Sequence, residues 1–124
     1  MLRVDDGFLF ILRLELRARE AVVRARTFLE GERRFPVVYW LHGSGGGLPG
    51  IPVVARLFDA AIAASQVPAC FIVFVNGLPG GMYLDWKDGS VRVESMLIQD
   101  LLPHVDATHR TVAARGGRVI EGFS

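Results

Sequence analysis

The sequence predicts an α/β domain: an antiparallel hairpin, then strand, helix, strand, helix and strand, with the last three strands parallel. Three observations lead there. Apolar runs without alternation stand at Pro36–Leu41 and Phe71–Val75, with a shorter one at Val119–Ile120. Strands of that kind are covered on both faces, as parallel strands are. Two stretches of helical apolar spacing lie between these runs, which is the pattern of crossover units on a layered sheet. The N-terminal third is different, because it alternates with period two.

In that first part, Phe10, Leu12, Leu14, Leu16 and Ala18 share one side, with Arg13, Glu15, Arg17 and Arg19 on the other. One polar face implies a half-solvated strand, typical of antiparallel pairing. A second extended stretch from Ala21 to Leu29 completes the expected hairpin, and residues 31–34 form a charged connection. After Pro36–Leu41 comes a helix expected over Val53 to Gln66, with Val54, Leu57, Phe58, Ala61 and Ile62 as its apolar stripe. Phe71–Val75 is the next covered strand. The following helix is expected from Val91 to Val105, with Val93, Leu97, Ile98, Leu101, Leu102 and Val105 inward. Ser90 is its candidate N-cap, and Glu94 suits the positive end of the helix dipole. Pro103 should kink or interrupt it. Without repeats, low-complexity tracts or a linker, residues 1–124 read as a single domain.

Composition narrows the classes. The chain has 124 residues, 51% of them hydrophobic, and a formal net charge of +1. The acids and bases are interleaved, so the unbalanced basic face of a nucleic-acid binder is not expected. The single cysteine, Cys70, sits in an apolar run; it has no partner for an internal disulfide and no metal-ligand spacing around it. No metal and no cofactor are expected. Asp5 and Asp6 precede the first apolar stretch, which therefore lacks the basic start of a signal peptide. No apolar run approaches the roughly 20 residues of a membrane-spanning helix. The default expectation is a cytoplasmic protein that engages no membrane. Nothing in the sequence bears on its oligomeric state.

In a parallel sheet, ligands bind beyond the carboxyl ends of the strands. The loop after the first covered strand is His42-Gly43-Ser44-Gly45-Gly46-Gly47. The loop after the second mixes glycines with large side chains, from Asn76 through Tyr83 to Trp86. The third strand runs into Gly122-Phe123-Ser124, the first half of a Gly-x-Ser-x-Gly nucleophile elbow. Acyl transfer needs an activated hydroxyl, a base oriented by an acid, and N–H donors for the oxyanion. A strand-to-helix corner presents a serine, and a glycine-rich loop brings backbone N–H groups to the same oxygen. Gly45-x-Gly47-x-x-Gly50 formally matches a dinucleotide fingerprint, but Pro49 and Pro52 spoil the helix start. No acidic residue ends the next strand.

The segments Phe35–Gly43, Met82–Asp85, Asp100–Thr111 and Gly117–Ser124 resemble, in this order, the α/β-hydrolase family that includes esterase D, feruloyl esterases, enterochelin esterases and mycolyltransferases. The resemblance covers most of residues 20–124 and corresponds to the N-terminal part of such a domain. It implies a serine esterase working through an acyl-enzyme on a small-molecule ester. Ser124 would be the nucleophile and the backbone N–H of Ser44 one oxyanion donor. The second donor, the triad acid and the histidine would lie downstream. His42 and Gly43 belong to the loop that contacts substrate, with His42 expected to order it rather than act as base. Tyr83 and Trp86 either line the acyl pocket or pack their loop. His104 and His109 are expected at the surface or as caps, and Asp85, Asp100 and Asp106 as solvated or capping carboxylates without a visible partner. Ending at Ser124, the chain would carry a carboxylate on its own nucleophile and lack a base, so alone it is expected to be inactive. The alternatives are a non-catalytic remnant acting only through a partner chain, or an acyltransferase of the same fold.

Overall fold

The computed structural model describes residues 32–45, 50–78 and 80–123. The expected hairpin over residues 10–29 and the terminal Ser124 lie outside the described residues. The sheet has three strands: β1 (Val37–Leu41), β2 (Phe71–Val75) and β3 (Arg118–Gly122), in the order β2-β1-β3. Both neighbours run parallel to β1, with Val37 opposite Phe71 and Arg118, and Leu41 opposite Val75 and Gly122. The parallel strand–helix alternation expected from the sequence is therefore present.

Alternation along β1 sends its side chains to two layers. On one face Val37 and Tyr39 join Phe71, Val73 and Val75 beneath a helical arm that contributes Val93, Met96, Leu97, Leu101 and Val105. On the other face Trp40 and Phe74 meet edge-to-face, with ring centres 5.6 Å apart, and Ile51 closes over them.

That second layer is helix α1 (Ile51–Ala63), with Pro52 in its first turn, where a missing N–H costs no bond. It starts two residues before the expected Val53 and ends three before Gln66. Its contact stripe is Ile51, Val54 and Ala55. Leu57, expected on the stripe, is 65% exposed. At about 100° per residue it stands roughly 120° round the helix from Ile51, outside the arc that faces the sheet.

The helical arm comprises α2 (Val93–Ser95), a π-helical turn (Met96–Leu101) and α3 (Leu102–Thr108). The predicted disturbance at Pro103 takes this form. Proline has no N–H for the carbonyl four residues back, and the wide turn ends two residues before it. The extra residue per turn changes the phase of the buried face. Met96 becomes buried, and Ile98, expected inward, is 55% exposed. The start differs as well. Arg92, not Ser90, occupies the N-cap position, and its side chain makes no capping bond. Ser90 Oγ donates instead to Asp88, at 2.7 Å. The first turn is served from a distance: the Asp85 carboxylate accepts the Ser95 N–H at 2.9 Å and also the Ser95 hydroxyl. Those two bonds hold the Asp85 carboxyl below its ordinary pKa.

Two more expectations need correction. Val119 and Ile120, expected to be covered, are 50% and 68% exposed. β3 is the edge of the described sheet, and no described residue pairs on its far side. Asp106 does have partners: Arg118 Nη2 at 2.5 Å and the Thr111 hydroxyl at 2.6 Å. Burial acts to raise its pKa, but the Thr111 bond and the Arg118 charge outweigh it and hold the carboxyl below 3.8. Their separation in sequence concealed the pairing.

Candidate active site

Because all three strands are parallel, their carboxyl ends share one rim. Leu41 continues into His42, Val75 into Asn76 and Gly122 into Phe123. The Phe123 N–H donates to the Leu41 carbonyl at 3.1 Å, so β1 and β3 stay paired up to the rim. Ser124 itself lies outside the described residues.

His42 is 6% exposed, although it is the first residue past β1. Its Nε2 accepts the Gly77 N–H at 2.9 Å, and its Nδ1 lies 2.7 Å from the Gly43 carbonyl. An N–H donor at one nitrogen and a carbonyl acceptor at the other assign Nδ1 as protonated and Nε2 as the acceptor. Both ring nitrogens are thus engaged, which leaves no lone pair to take a proton from a nucleophile. His42 orders the loop.

Tyr83 returns from the second loop to the same point. Its hydroxyl donates to the His42 carbonyl at 2.7 Å, and its ring centre lies 5.5 Å from that of His42. Burial pushes its pKa up to about 12, against the opposing effect of the bond to His42. The tyrosine is therefore a neutral donor. Its loop is bent sharply. Leu78, Met82 and Tyr83 all have positive φ, at 63°, 52° and 52°. For non-glycine residues this conformation is costly and persists only where surrounding contacts enforce it. Gly77 allows it, since a Cβ there would fall within the Tyr83 ring.

Ser44 and Gly45 form a turn and are exposed, with Gly45 at φ +85°. Gly43 is half-buried beneath them. The Ser44 N–H donates to no backbone carbonyl among the described residues. Trp86 is 46% exposed and stands with Met82 (71%) and Leu84 (56%) along the second loop. The structure thus joins His42, Gly43 and Tyr83, sets Ser44 at the adjacent turn and leaves Trp86 open to solvent. Gly77 was not singled out in the sequence. A signal was present, because Asn76-Gly77 directly follows a covered strand.

The other two histidines lie elsewhere. His109 is the C-cap of α3 and packs edge-on against Phe71, the first residue of β2, with ring centres 5.5 Å apart. Burial lowers its pKa. His104 sits within α3, where its carbonyl accepts the Thr108 hydroxyl.

The class of protein is then an α/β domain with a parallel sheet and two loop corners at one rim. Over 80% of this chain the fold matches that of a ferulic acid esterase, with a TM-score of 0.67 and 23% identity, spanning 39% of that protein. In sequence, the chain is 29% identical over 102 residues to an endo-1,4-beta-xylanase/feruloyl esterase of Xylanibacter ruminicola. That match takes in 75% of this chain and 14% of the relative, so the chain spans a small part of the protein it resembles. No family model matches. The two similarities support the resemblance to feruloyl esterases that the sequence motifs carry.

Proposed function

We propose that this chain carries the oxyanion corner and the nucleophile corner of a serine carboxylic-ester hydrolase acting on feruloyl esters. In this mechanism Ser124 Oγ attacks the ester carbonyl carbon while a histidine takes its proton. The Ser44 N–H donates to the oxygen that becomes negative. The alcohol then leaves with that proton, and water releases the acid from the acyl-enzyme by the same route. The observation that carries the proposal is the direct pairing of β1 with β3 up to Leu41 and Phe123. With Leu41 and Phe123 on neighbouring strand ends, this pairing supports a reading in which the glycine-rich loop and the Gly-x-Ser segment meet there. Met82, Leu84 and Trp86 offer exposed apolar surface on the same rim for an aromatic acyl group.

The base has to come from outside the described residues, since His42 is engaged at both nitrogens, His109 packs at the opposite end of the sheet and His104 lies in α3, the helix that ends at His109. The 124-residue chain alone should therefore not turn over methyl ferulate or a nitrophenyl ester. Ester hydrolysis by the purified chain that Ser124→Ala abolishes would overturn that expectation. A protein that extends past Ser124 would have to supply the acid and the histidine there. In that longer protein Ser124→Ala should lower kcat by about 10⁶-fold. Full activity in the Ser124→Ala protein would refute the nucleophile assignment.

A further inference from the structure

We infer that His42, fixed as its Nδ1–H tautomer, and Tyr83 form a latch that locks the second rim loop onto the first and thereby positions the Gly43–Ser44 main chain. The inference rests on the ester-hydrolase proposal for what that main chain does, but not for the latch itself. Both are positioning residues, acting on the reacting atoms only through the backbone.

Three hydrogen bonds converge on residues 42 and 43. Gly77 N–H donates to His42 Nε2, His42 Nδ1–H to the Gly43 carbonyl, and the Tyr83 hydroxyl to the His42 carbonyl. Each element depends on the others. Gly77 must be glycine because the Tyr83 ring occupies the space a Cβ would need. Gly81 is constrained likewise, since a Cβ there would strike the Gly77 carbonyl. Met82 and Tyr83 have consecutive positive φ angles, and the phenol reaches the His42 carbonyl. A merely packed tyrosine would not require two adjacent residues in a disfavoured conformation. Because the pocket around His42 offers a donor on one side and a carbonyl on the other, only one tautomer satisfies both.

Nitrogen-15 spectra of the histidine-labelled 124-residue chain test this without any catalytic assay. His42 should show a protonated Nδ1 and an unprotonated Nε2 at neutral pH. Nε2–H, or a mixture of the two forms, would overturn the latch while leaving the ester-hydrolase proposal standing on Ser124. Tyr83→Phe keeps the ring over Gly77 and removes only the hydroxyl. It should speed amide exchange at Gly77 roughly five-fold, as loss of one ordinary hydrogen bond allows, and shift the Gly43 and Ser44 amide signals. Exchange at Val73, in the middle of β2, should be unchanged. Equal acceleration at Gly77 and Val73 would mean general loosening, and silence at Ser44 would mean that nothing is positioned. Either result sinks the inference. If Tyr83→Phe does not fold, His42→Gln replaces it: the amide oxygen can accept from Gly77 and should retain slow Gly77 exchange, where His42→Leu loses it. Equal exchange in those two proteins also counts against the latch.

Discussion

The two rims of the sheet are held by different chemistry. At the amino rim, backbone carries most of the load. The Phe35 N–H donates to the Arg110 carbonyl and the Val112 N–H to the Phe35 carbonyl, both at 2.9 Å, so the segment after α3 is stitched to the strand entering β1. The Asp106–Arg118 pair and the Thr111 hydroxyl close the gap to β3. One described non-glycine residue there, Ser65 in the turn between α1 and β2, has a positive φ, at 56°. At the carboxyl rim, side chains hold backbone: His42 and Tyr83 bind main-chain groups of the two loops, and three non-glycine residues sit in left-handed conformations. One rim is built for stability. The other stores strain where the proposed chemistry lies, which is where such strain gathers in proteins.

The largest effect should come from breaking the amino rim. Asp106→Ala leaves Arg118 without its carboxylate and Thr111 without its acceptor, and should cost about 2–3 kcal/mol in urea unfolding. The same pair sets a pH dependence. The folded pKa of Asp106 is depressed, so its contribution is complete above the ordinary value of 3.8 and is lost as pH falls through the lower folded value. Asp106→Asn should flatten the acid limb of a stability profile below about pH 4. An unchanged limb would mean that the ion pair does not form in solution.

The carboxyl rim should respond less to loss of packing than to added volume. Gly77→Ala places a methyl group where the Tyr83 ring lies, which should cost about 2 kcal/mol. The protein should remain folded because the core beneath, from Val37 to Leu101, is untouched. A loss as small as that of an ordinary exposed site would show that Tyr83 moves aside freely.

Much of this architecture was legible in the sequence because burial writes itself into runs of residues. Pro36–Leu41 and Phe71–Val75 read as two-sided strands, and they are. What was hidden depended on contacts between distant residues or on a local change of helix phase. Ile98 and Met96 exchanged roles because a π turn precedes Pro103, and no apolar periodicity records such a turn. The partner of Asp106 was hidden because Arg118 is twelve residues away. At the candidate site, the His42 loop was visible from its glycines. Gly77 was not, since its role arises only when Tyr83 folds back onto it.

Between the rims, Tyr39 allows a test of opposite sign. Its hydroxyl is buried without a hydrogen-bond partner among the described residues, and burial, with the nearby Asp106 charge, pushes its pKa up to about 12. An unpaired buried hydroxyl costs free energy that a phenylalanine would not incur. Tyr39→Phe should therefore stabilise the protein by about 1 kcal/mol. Destabilisation would mean that the hydroxyl has a partner in solution.

The smallest effect separates the helix start expected from sequence from the one observed. Were Ser90 the N-cap of the helical arm, Ser90→Ala would cost about 1 kcal/mol, the ordinary value of a lost cap. In the structure the arm begins after Arg92, and among the described residues Ser90 bonds to Asp88 at the exposed surface. The substitution should then change stability by no more than about 0.5 kcal/mol, as at other surface sites. The Ser95 amide should keep its protection from exchange in Ser90→Ala and lose it in Asp85→Ala, because the Asp85 carboxylate is its acceptor. Loss of Ser95 protection in Ser90→Ala would move the cap back to Ser90 and detach the helical arm from the rim loop that carries Tyr83.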